Sequence, residues 1–335
     1  MLSALAAGLC GAEIVPPTSN YEASAGKYPV ETAKYGWVDQ KRNRKVPVKI
    51  YFPKTGEGPF PIIIFSHGLG GSREGYGYLG RSWASHGYVS VHLQHLGSDD
   101  AVWKEAPPGE RMKAMQKSAL HIQNSIDRPQ DVTFAIDQVA KLNQEEGPFR
   151  KRLDLDHVGM AGHSFGSYTT LAIIGEIFPT LTGGERSATD PRVKAAIAMS
   201  SPAPRAKSQY DAAFAKIGVP CFHMTGTKDD SPIGDTKAEA RRVPFDHING
   251  ADQFLVTFKD GDHMIFSGRP AGAGNREKDG TFQNLIQAGS TAFWDAYLKN
   301  DAGAKAWLVG NGFETVLGGE GRFEKKLSDR PVKTK

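Results

Sequence analysis

The sequence predicts an α/β fold in which helices cover both faces of a mostly parallel central sheet. Short apolar runs alternate along the chain with longer segments of helical periodicity. Several of these runs are apolar at consecutive positions, which is typical of parallel strands buried on both faces. Polar clusters follow three of the runs, and in such sheets the chemistry lies at the carboxyl ends of the strands. These observations predict both the fold class and the edge of the sheet where a site would form.

The individual elements follow from the same patterns. We expect about eight strands in the sheet, each bounded by turn residues. The runs predicted as strands are 46–52, 60–68, 88–95, 157–164, 193–201, 219–226 and 253–263. The segments predicted as helices are 73–86, 128–145, 164–177, 235–242 and 281–299.

The composition of the 335 residues is that of a globular protein. Hydrophobic residues make up 39% and charged residues 23%, and no apolar run is long enough to span a bilayer. The formal charge is only +4, and the dense basic stretch at 41–49 is predicted to be a solvated hairpin. No repeat or long linker divides the chain, which predicts a single domain over 27–335. We expect no binding of nucleic acid and no stable membrane insertion, and the oligomeric state is left open.

Residues 1–26 are interpreted as a signal remnant or an N-terminal extension. The opening MLSALAAGLCGAE has an apolar run that ends in small residues, as at a signal cleavage site after Ala12. We therefore predict a secreted or periplasmic location, with a cytoplasmic one as the alternative. The two cysteines, Cys10 and Cys221, are not expected to form a disulfide, and Cys221 is predicted to be a buried strand residue.

The candidate nucleophile is Ser164, in the stretch AGHSFG. The spacing G-x-S-x-G alone is weak, because turns favour glycine and serine. Here it follows a predicted strand and precedes a predicted helix, which is the context of a nucleophile elbow. The hydroxyl would then lie at the N-terminus of a helix, where the dipole and free N–H groups favour developing negative charge.

A candidate acid and a candidate base follow two later strands. The stretch HMTGTKDDSP contains Asp229 and Asp230, and FKDGDHMIFSG contains His263. Each cluster alone would be interpreted as a turn or a solvated loop. Together with Ser164 they give the chain order Ser, Asp, His, in which a carboxylate orients the histidine that activates the serine.

The loop after the second predicted strand supplies a place for an oxyanion hole. In IIIFSHGLGG, the backbone N–H of Leu69 is the first predicted donor, and the N–H of Phe165, after the nucleophile, is the second. His67 is assigned to holding this loop, because the order Ser, Asp, His already has a base in His263.

The sequence resembles the α/β-hydrolases. Within them it resembles the branch of serine esterases similar to platelet-activating-factor acetylhydrolase and to predicted dienelactone hydrolases. The motifs that carry the resemblance are FSHGLGG, WASHGYVSV, HLGSDD, RPQDV, GHSFG and STAFWDAYL, so it covers about 30–300. It implies the α/β-hydrolase fold and ester hydrolysis, and it is a poor guide to the substrate.

The sequence departs from this branch at two points. Dienelactone hydrolases use a cysteine nucleophile, so that activity is not transferred to Ser164. In the acetylhydrolases the acid follows the strand after the nucleophile helix, but here that strand ends AMSSPAPR, without an acid. We therefore choose Asp229, which has the Gly-x-x-Asp spacing common in the wider superfamily, with Asp230 as the fallback and Asp211 as an acid located elsewhere.

The predicted activity is that of a serine carboxylesterase acting on a small-molecule ester through an acyl-enzyme intermediate. A peptidase or amidase and a polyester hydrolase with the same triad remain open, as does an inactive binding module of this fold. No cofactor and no metal are expected. The segment 97–127 is interpreted as an insertion that overhangs the site, or alternatively as a surface helix packed on the core.

Overall fold

A nine-stranded sheet forms the centre of the structure, which is a computed structural model. The residues it describes are 21, 26–180, 184–204, 206–268 and 277–328. The predicted signal segment and Cys10 lie outside them. The strands are β1 (Val30–Asp39), β2 (Arg44–Pro53), β3 (Phe60–Ser66), β4 (Val89–Leu93), β5 (Leu153–His163), β6 (Phe178–Pro179), β7 (Glu185–Arg186), β8 (Val193–Met199), β9 (Cys221–Lys228), β10 (Gln253–Asp262) and β11 (Gly321–Lys326).

The strand order in the sheet is β1-β2-β4-β3-β5-β8-β9-β10-β11, and β6 pairs with β7 separately. The six strands from β4 to β10 are parallel, whereas β1, β2 and β11 join the edges antiparallel. The carboxyl ends of β3, β5 and β9 therefore meet at one edge of the sheet. This is the edge at which the predicted site residues follow their strands.

Helices cover both faces of the sheet, as predicted. One face is covered by α1, α8, α9 and α10, and the other by α4, α5 and α6. Along β3, Ile63 and Phe65 point to the first face and Ile62 and Ile64 to the second, which explains the continuous apolar run. The helices are α1 (Gly77–Ser85), α2 (Ala101–Lys104), α3 (Arg111–Leu120), α4 (Ile122–Leu142), α5 (Phe165–Ile174), α6 (Tyr210–Phe214), α7 (Val243–His247), α8 (Asp279–Leu298), α9 (Ala302–Val309) and α10 (Gly312–Leu317).

The predicted fold class is confirmed, and all seven predicted strands are present, including β9 with a buried Cys221. The edge strands β1 and β11 were not predicted, because their exposed faces interrupt the apolar pattern. The predicted helix at 235–242 is wrong. The chain there forms a 3₁₀ turn at Ala238–Arg242, and the short α7 begins after it with a proline in its first turn.

The basic stretch 41–49 lies in the β1–β2 hairpin, as predicted, but two of its arginines are not solvated. Arg44 Nε and Nη2 donate to the carboxylate of Asp131 at 2.8 and 3.0 Å. Arg42 Nη1 lies 2.9 Å from the same carboxylate, which is fully buried. Within the described residues, this part of the basic stretch anchors the hairpin to α4.

In the described part of the chain, no helix combines the length and the apolar character that a bilayer crossing requires.

The segment 97–127, which was interpreted as an insertion, contains α2, a 3₁₀ turn at Pro108–Glu110 and α3, and it extends into the start of α4.

The buried carboxyl of Glu176, which follows α5, makes stability depend on pH. Glu176 is 5% exposed, and burial raises its pKa from 4.5 to about 8. The folded protein keeps this proton between those pH values while the unfolded chain loses it. The contribution of Glu176 to the free energy of unfolding is therefore largest below pH 4.5, and it is lost as the pH rises through about 8.

We expect Glu176→Gln to remove this dependence, because the amide has nearly the same shape and does not titrate. Thermal unfolding of both proteins from pH 5 to pH 9 measures it. The difference between the Tm of the variant and the Tm of the wild type should increase as the pH rises. Two Tm curves that stay parallel over this range would contradict the assignment.

Candidate active site

Ser164 occupies a strained turn between β5 and α5. Its φ of 57° and ψ of −115° lie outside the regions that serine ordinarily adopts. The flanking glycines are required by close backbone contact. A Cβ at Gly162 would overlap the carbonyl of Gly166, and a Cβ at Gly166 would overlap the carbonyl of Ser66. The turn therefore has the geometry of a nucleophile elbow, with Ser164 partly exposed at its tip.

Asp229 lies directly after β9 and is fully buried. Its Oδ1 is 2.7 Å from His263 Nδ1, and its Oδ2 accepts from Ser200 Oγ at 2.6 Å and from Thr225 Oγ1 at 2.8 Å. Because a carboxylate only accepts, the proton of His263 lies on Nδ1. Nε2 of His263 is left to accept a proton, as the general base of an acyl transfer requires.

The other two acids considered from the sequence do not contact His263. Asp230 is exposed, and its carboxylate binds Lys237 Nζ at 2.9 Å and the backbone N–H of Ala238 at 3.0 Å. Asp211 is exposed and lies 2.6 Å from the Nδ1 of His247. The geometry therefore favours Asp229 as the partner of His263.

A buried arginine that the sequence analysis missed supports the acid. Arg241 is 3% exposed, and it donates to the backbone carbonyls of Asp229 at 3.1 Å and Ser200 at 2.9 Å. Its Nε lies 3.5 Å from Asp229 Oδ1. Arg241 lies within the segment 235–242 that was predicted as a helix, and its spacing from the acid gave no signal of this contact.

His263 packs against the residue that precedes the candidate nucleophile. The rings of His163 and His263 lie 4.7 Å apart, and His163 Nε2 is 2.9 Å from the carbonyl oxygen of His263. Within the described residues, Ser164 Oγ has no hydrogen-bond partner, so the structure does not join it to His263 directly. Such bonds are often long in unliganded sites and shorten when substrate binds.

The two predicted oxyanion donors lie on neighbouring segments. Leu69 follows β3, and Phe165 is the first residue of α5. Within the described part of the chain, neither backbone N–H has an acceptor. Gly68 lies against the elbow, since a Cβ there would be 3.4 Å from the carbonyl oxygen of His163. The loop after β3 therefore lies beside Ser164, with unpaired N–H groups on both segments.

A second Ser–His–Asp arrangement lies beneath the loop after β3. Ser66 Oγ is 2.9 Å from His95 Nε2, and His95 Nδ1 is 3.0 Å from Asp131 Oδ2. All three side chains are fully buried, and Arg128 donates to Ser66 Oγ at 3.0 Å and also to the carbonyl of His67. Burial lowers the pKa of His95 to about 4. A substrate cannot reach this serine, so we interpret the arrangement as structural.

His67 has the holding position that its sequence context suggested. It is fully buried, and its Nε2 accepts from the backbone N–H of His95 at 3.1 Å. Burial lowers the pKa of His67 well below its ordinary value, so the ring is neutral. Its Nδ1 then donates to the carbonyl of Gly68 within the loop.

The insertion contacts the loop that carries Leu69. Trp103 Nε1 donates to the carbonyl of Gly70 at 2.8 Å, and a Cβ at Gly70 would lie 2.5 Å from the terminal methyl of Met115. Three of its large apolar side chains are exposed, namely Met112, Leu120 and Ile122. The segment 97–127 thus contacts the loop that carries Leu69 and exposes three apolar side chains.

Comparisons with known proteins find similarity to platelet-activating factor acetylhydrolases and to a putative phospholipase A2. The family model described as platelet-activating factor acetylhydrolase, isoform II, matches 38–145. A platelet-activating factor acetylhydrolase of Canis lupus familiaris is 26% identical over 240 residues, 64% of this chain and 49% of that protein. One of Cavia porcellus is 31% identical over 160 residues, 39% of this chain and 36% of that protein. A putative phospholipase A2 of Schizosaccharomyces pombe is 27% identical over 161 residues, 37% of each chain.

The chain spans about half the length of the Canis lupus familiaris protein and a smaller share of the other two. The family resemblance carried by the motifs is confirmed by these matches. Together with the mostly parallel central sheet, which is consistent with an α/β-hydrolase fold, they show that the chain is similar, at modest identity, to the platelet-activating factor acetylhydrolases.

Proposed function

We propose that the protein is a serine ester hydrolase in which Ser164 is the nucleophile, His263 the general base and Asp229 the acid that orients the base. The observation that carries the proposal is the buried 2.7 Å contact between Asp229 and His263, beside a serine in a strained turn. The names of the relatives, which are acetylhydrolases and a putative phospholipase, support the same reaction class.

The reaction follows from these positions. Nε2 of His263 takes the Ser164 proton while Oγ bonds to the ester carbonyl carbon, and the carbonyl oxygen becomes an oxyanion. The N–H groups of Leu69 and Phe165 bind that oxyanion, and the α5 dipole adds to the stabilisation. The imidazolium then protonates the leaving alkoxide. A water, deprotonated by His263, releases the acid from the acyl-enzyme and restores Ser164.

We propose an amphiphilic, phospholipid-like ester as the substrate class. The relatives' names refer to the hydrolysis of an acetyl group from platelet-activating factor and to a phospholipase A2. Met112, Leu120 and Ile122 expose apolar surface on the insertion that contacts the oxyanion loop, which suits a substrate with an apolar portion. Export of the protein stays a prediction from the opening residues.

Replacing the nucleophile should abolish turnover without unfolding the protein. We expect Ser164→Ala to lower kcat by about 10⁴-fold or more, as removal of a triad nucleophile does. The control is Ser201→Ala, which removes a buried hydroxyl that binds Ser167 behind the elbow. Hydrolysis of p-nitrophenyl acetate, with circular dichroism to verify folding, measures the effect. If the folded Ser164→Ala variant kept a tenth of the wild-type turnover, the assignment of Ser164 as the nucleophile would be wrong.

A fluorophosphonate should modify Ser164 and leave Ser66 untouched, although both serines belong to Ser–His–Asp arrangements. The reason is access, because Ser66 is fully buried beneath Arg128. Peptide mass spectrometry after labelling identifies the site. A label on Ser66 would move the active centre to the second arrangement.

The two adjacent acids make a matched pair for testing the acid. We expect Asp229→Asn to lower kcat by about 10³- to 10⁴-fold, because the imidazole loses the partner that fixes its tautomer. Asp230→Asn removes only an exposed ion pair with Lys237 and should change kcat by less than about threefold. The reverse ranking would assign the acid to Asp230, and two small losses would place it elsewhere.

The substrate class is tested by offering the enzyme three kinds of bond. We expect kcat/KM to be highest for a phospholipid with a short acyl ester, lower for p-nitrophenyl esters of matched chain length and lowest for the p-nitroanilide. The binding energy of the apolar portion should raise kcat/KM for the amphiphile. A preference for the anilide would favour the peptidase or amidase alternative, and a preference for a polymeric ester would favour the polyester hydrolase.

A further inference from the structure

A chain of hydrogen bonds joins the oxyanion loop to the segment that carries the base. The backbone N–H of Gly68 lies 3.3 Å from Tyr76 Oη, and Tyr76 Oη lies 2.8 Å from His163 Nδ1. His163 Nε2 lies 2.9 Å from the carbonyl oxygen of His263. Three segments are thereby connected: the loop after β3, the residue before Ser164 and the loop after β10.

The direction of every donor in this chain is determined. The His263 carbonyl only accepts, so His163 Nε2 must carry a proton. Burial, with smaller contributions from His263 and Arg241, holds the pKa of His163 well below its ordinary value, so the ring is neutral. Its Nδ1 must then accept, and the hydroxyl of Tyr76 must donate. Burial raises the pKa of Tyr76 to about 12, so this hydroxyl keeps its proton.

The position of Tyr76 carries a conformational cost that its packing alone does not explain. Tyr76 precedes α1 with a φ of 57° and a ψ of 24°, in the left-handed region that a bulky residue rarely adopts. Its side chain is 7% exposed and lies against Phe65 and His163. Residues held in such conformations tend to cluster at functional sites. This backbone geometry directs the hydroxyl to the elbow.

We propose that Tyr76 and His163 are positioning residues that hold the catalytic base and the oxyanion loop at a fixed separation around Ser164. The proposal rests on the proposed function. Tyr76 donates to Nδ1 of His163 and so orients the ring, and the Nε2–H of His163 holds the backbone of His263. Neither side chain exchanges a proton with substrate, so their effect acts through the placement of His263 Nε2 and of the Leu69 N–H.

The first test determines the tautomer of His163 by NMR and does not require enzymatic activity. Long-range ¹H–¹⁵N spectra of the full chain distinguish a histidine protonated at Nε2 from one protonated at Nδ1, and His163→Gln identifies the resonance among the ten histidines. We expect His163 to be an Nε2–H tautomer in the wild type, and we expect Tyr76→Phe to keep this tautomer but to shift the ¹⁵N resonance of Nδ1, whose lone pair loses its donor. An Nδ1–H or charged His163 in the wild type would overturn the proposal.

The second test separates positioning from a loss of stability. We expect Tyr76→Phe to lower kcat for p-nitrophenyl acetate about tenfold with KM within about twofold, because the loss is one of geometry at the reacting atoms. The control is Tyr88→Phe, which removes a buried hydroxyl bound to Asp295 away from the site. It should lower the Tm comparably and leave kcat unchanged. Equal kcat values for Tyr76→Phe and the wild type would refute the positioning role.

The third test asks whether the two residues act as one chain. His163→Gln retains an N–H donor near the position of Nε2, so it should keep more kcat than His163→Leu, which has none. In the double variant Tyr76→Phe, His163→Leu, we expect a loss of kcat smaller than the product of the two single losses, because part of the effect of the tyrosine acts through the histidine. Multiplied losses in the double variant would show two independent roles and contradict the proposal.

The two proposals fail in distinguishable ways. A wild type that hydrolyses no ester, but has an Nε2–H tautomer of His163 whose Nδ1 resonance shifts in Tyr76→Phe, would refute the proposed function and leave the hydrogen-bond chain in place. An active esterase whose kcat is unaffected by Tyr76→Phe would refute the positioning role and leave the triad in place.

Discussion

The close approach of the first turn of α5 to the end of β3 is the contact on which the candidate site depends. No side chain fits between the carbonyl of Ser66 and residue 166, so that position is restricted to glycine. This contact brings the loop that carries Leu69 beside the elbow that carries Ser164. Because both segments end strands of the same parallel sheet, their register fixes the separation of the two N–H groups that would bind an oxyanion.

Buried polar side chains around this contact are arranged as ordered networks. Beneath the loop, Arg128 connects Ser66 and His67 to α4, and beside it Tyr76 and His163 connect Gly68 to the loop of His263. The histidines in both networks are held neutral by burial. A neutral imidazole with one fixed donor and one fixed acceptor orients its neighbours without placing an unpaired charge in a low-dielectric interior.

The connected arrangement of Ser66, His95 and Asp131 shows that side-chain geometry alone does not define an active site. The arrangement of Ser66 has good hydrogen-bond distances throughout but no access to solvent. Ser164, Asp229 and His263 lie at the edge where strands end, with a strained backbone at Ser164 and unpaired N–H groups beside it. The difference lies in exposure and in the place offered to an oxyanion, which are properties of the fold.

The sequence predicted the parts of the structure that local pattern controls. Consecutive apolar residues identified the parallel strands, and the spacing around Ser164 and Asp229 identified residues that the fold places at one edge. Edge strands such as β1 were missed because one exposed face breaks the apolar run. Arg241 and Tyr76 were missed because their partners are distant in sequence, and neither residue type signals such a contact by itself.

The structure of a phosphonate adduct of the protein would test the central claim most directly. The account predicts phosphorus bonded to Ser164 Oγ, with one phosphoryl oxygen within hydrogen-bond distance of both the Leu69 and Phe165 N–H groups. His263 Nε2 should lie close to Ser164 Oγ, with Nδ1 still bound to Asp229. An adduct whose phosphoryl oxygen points away from both N–H groups, or a covalent bond to another serine, would contradict it.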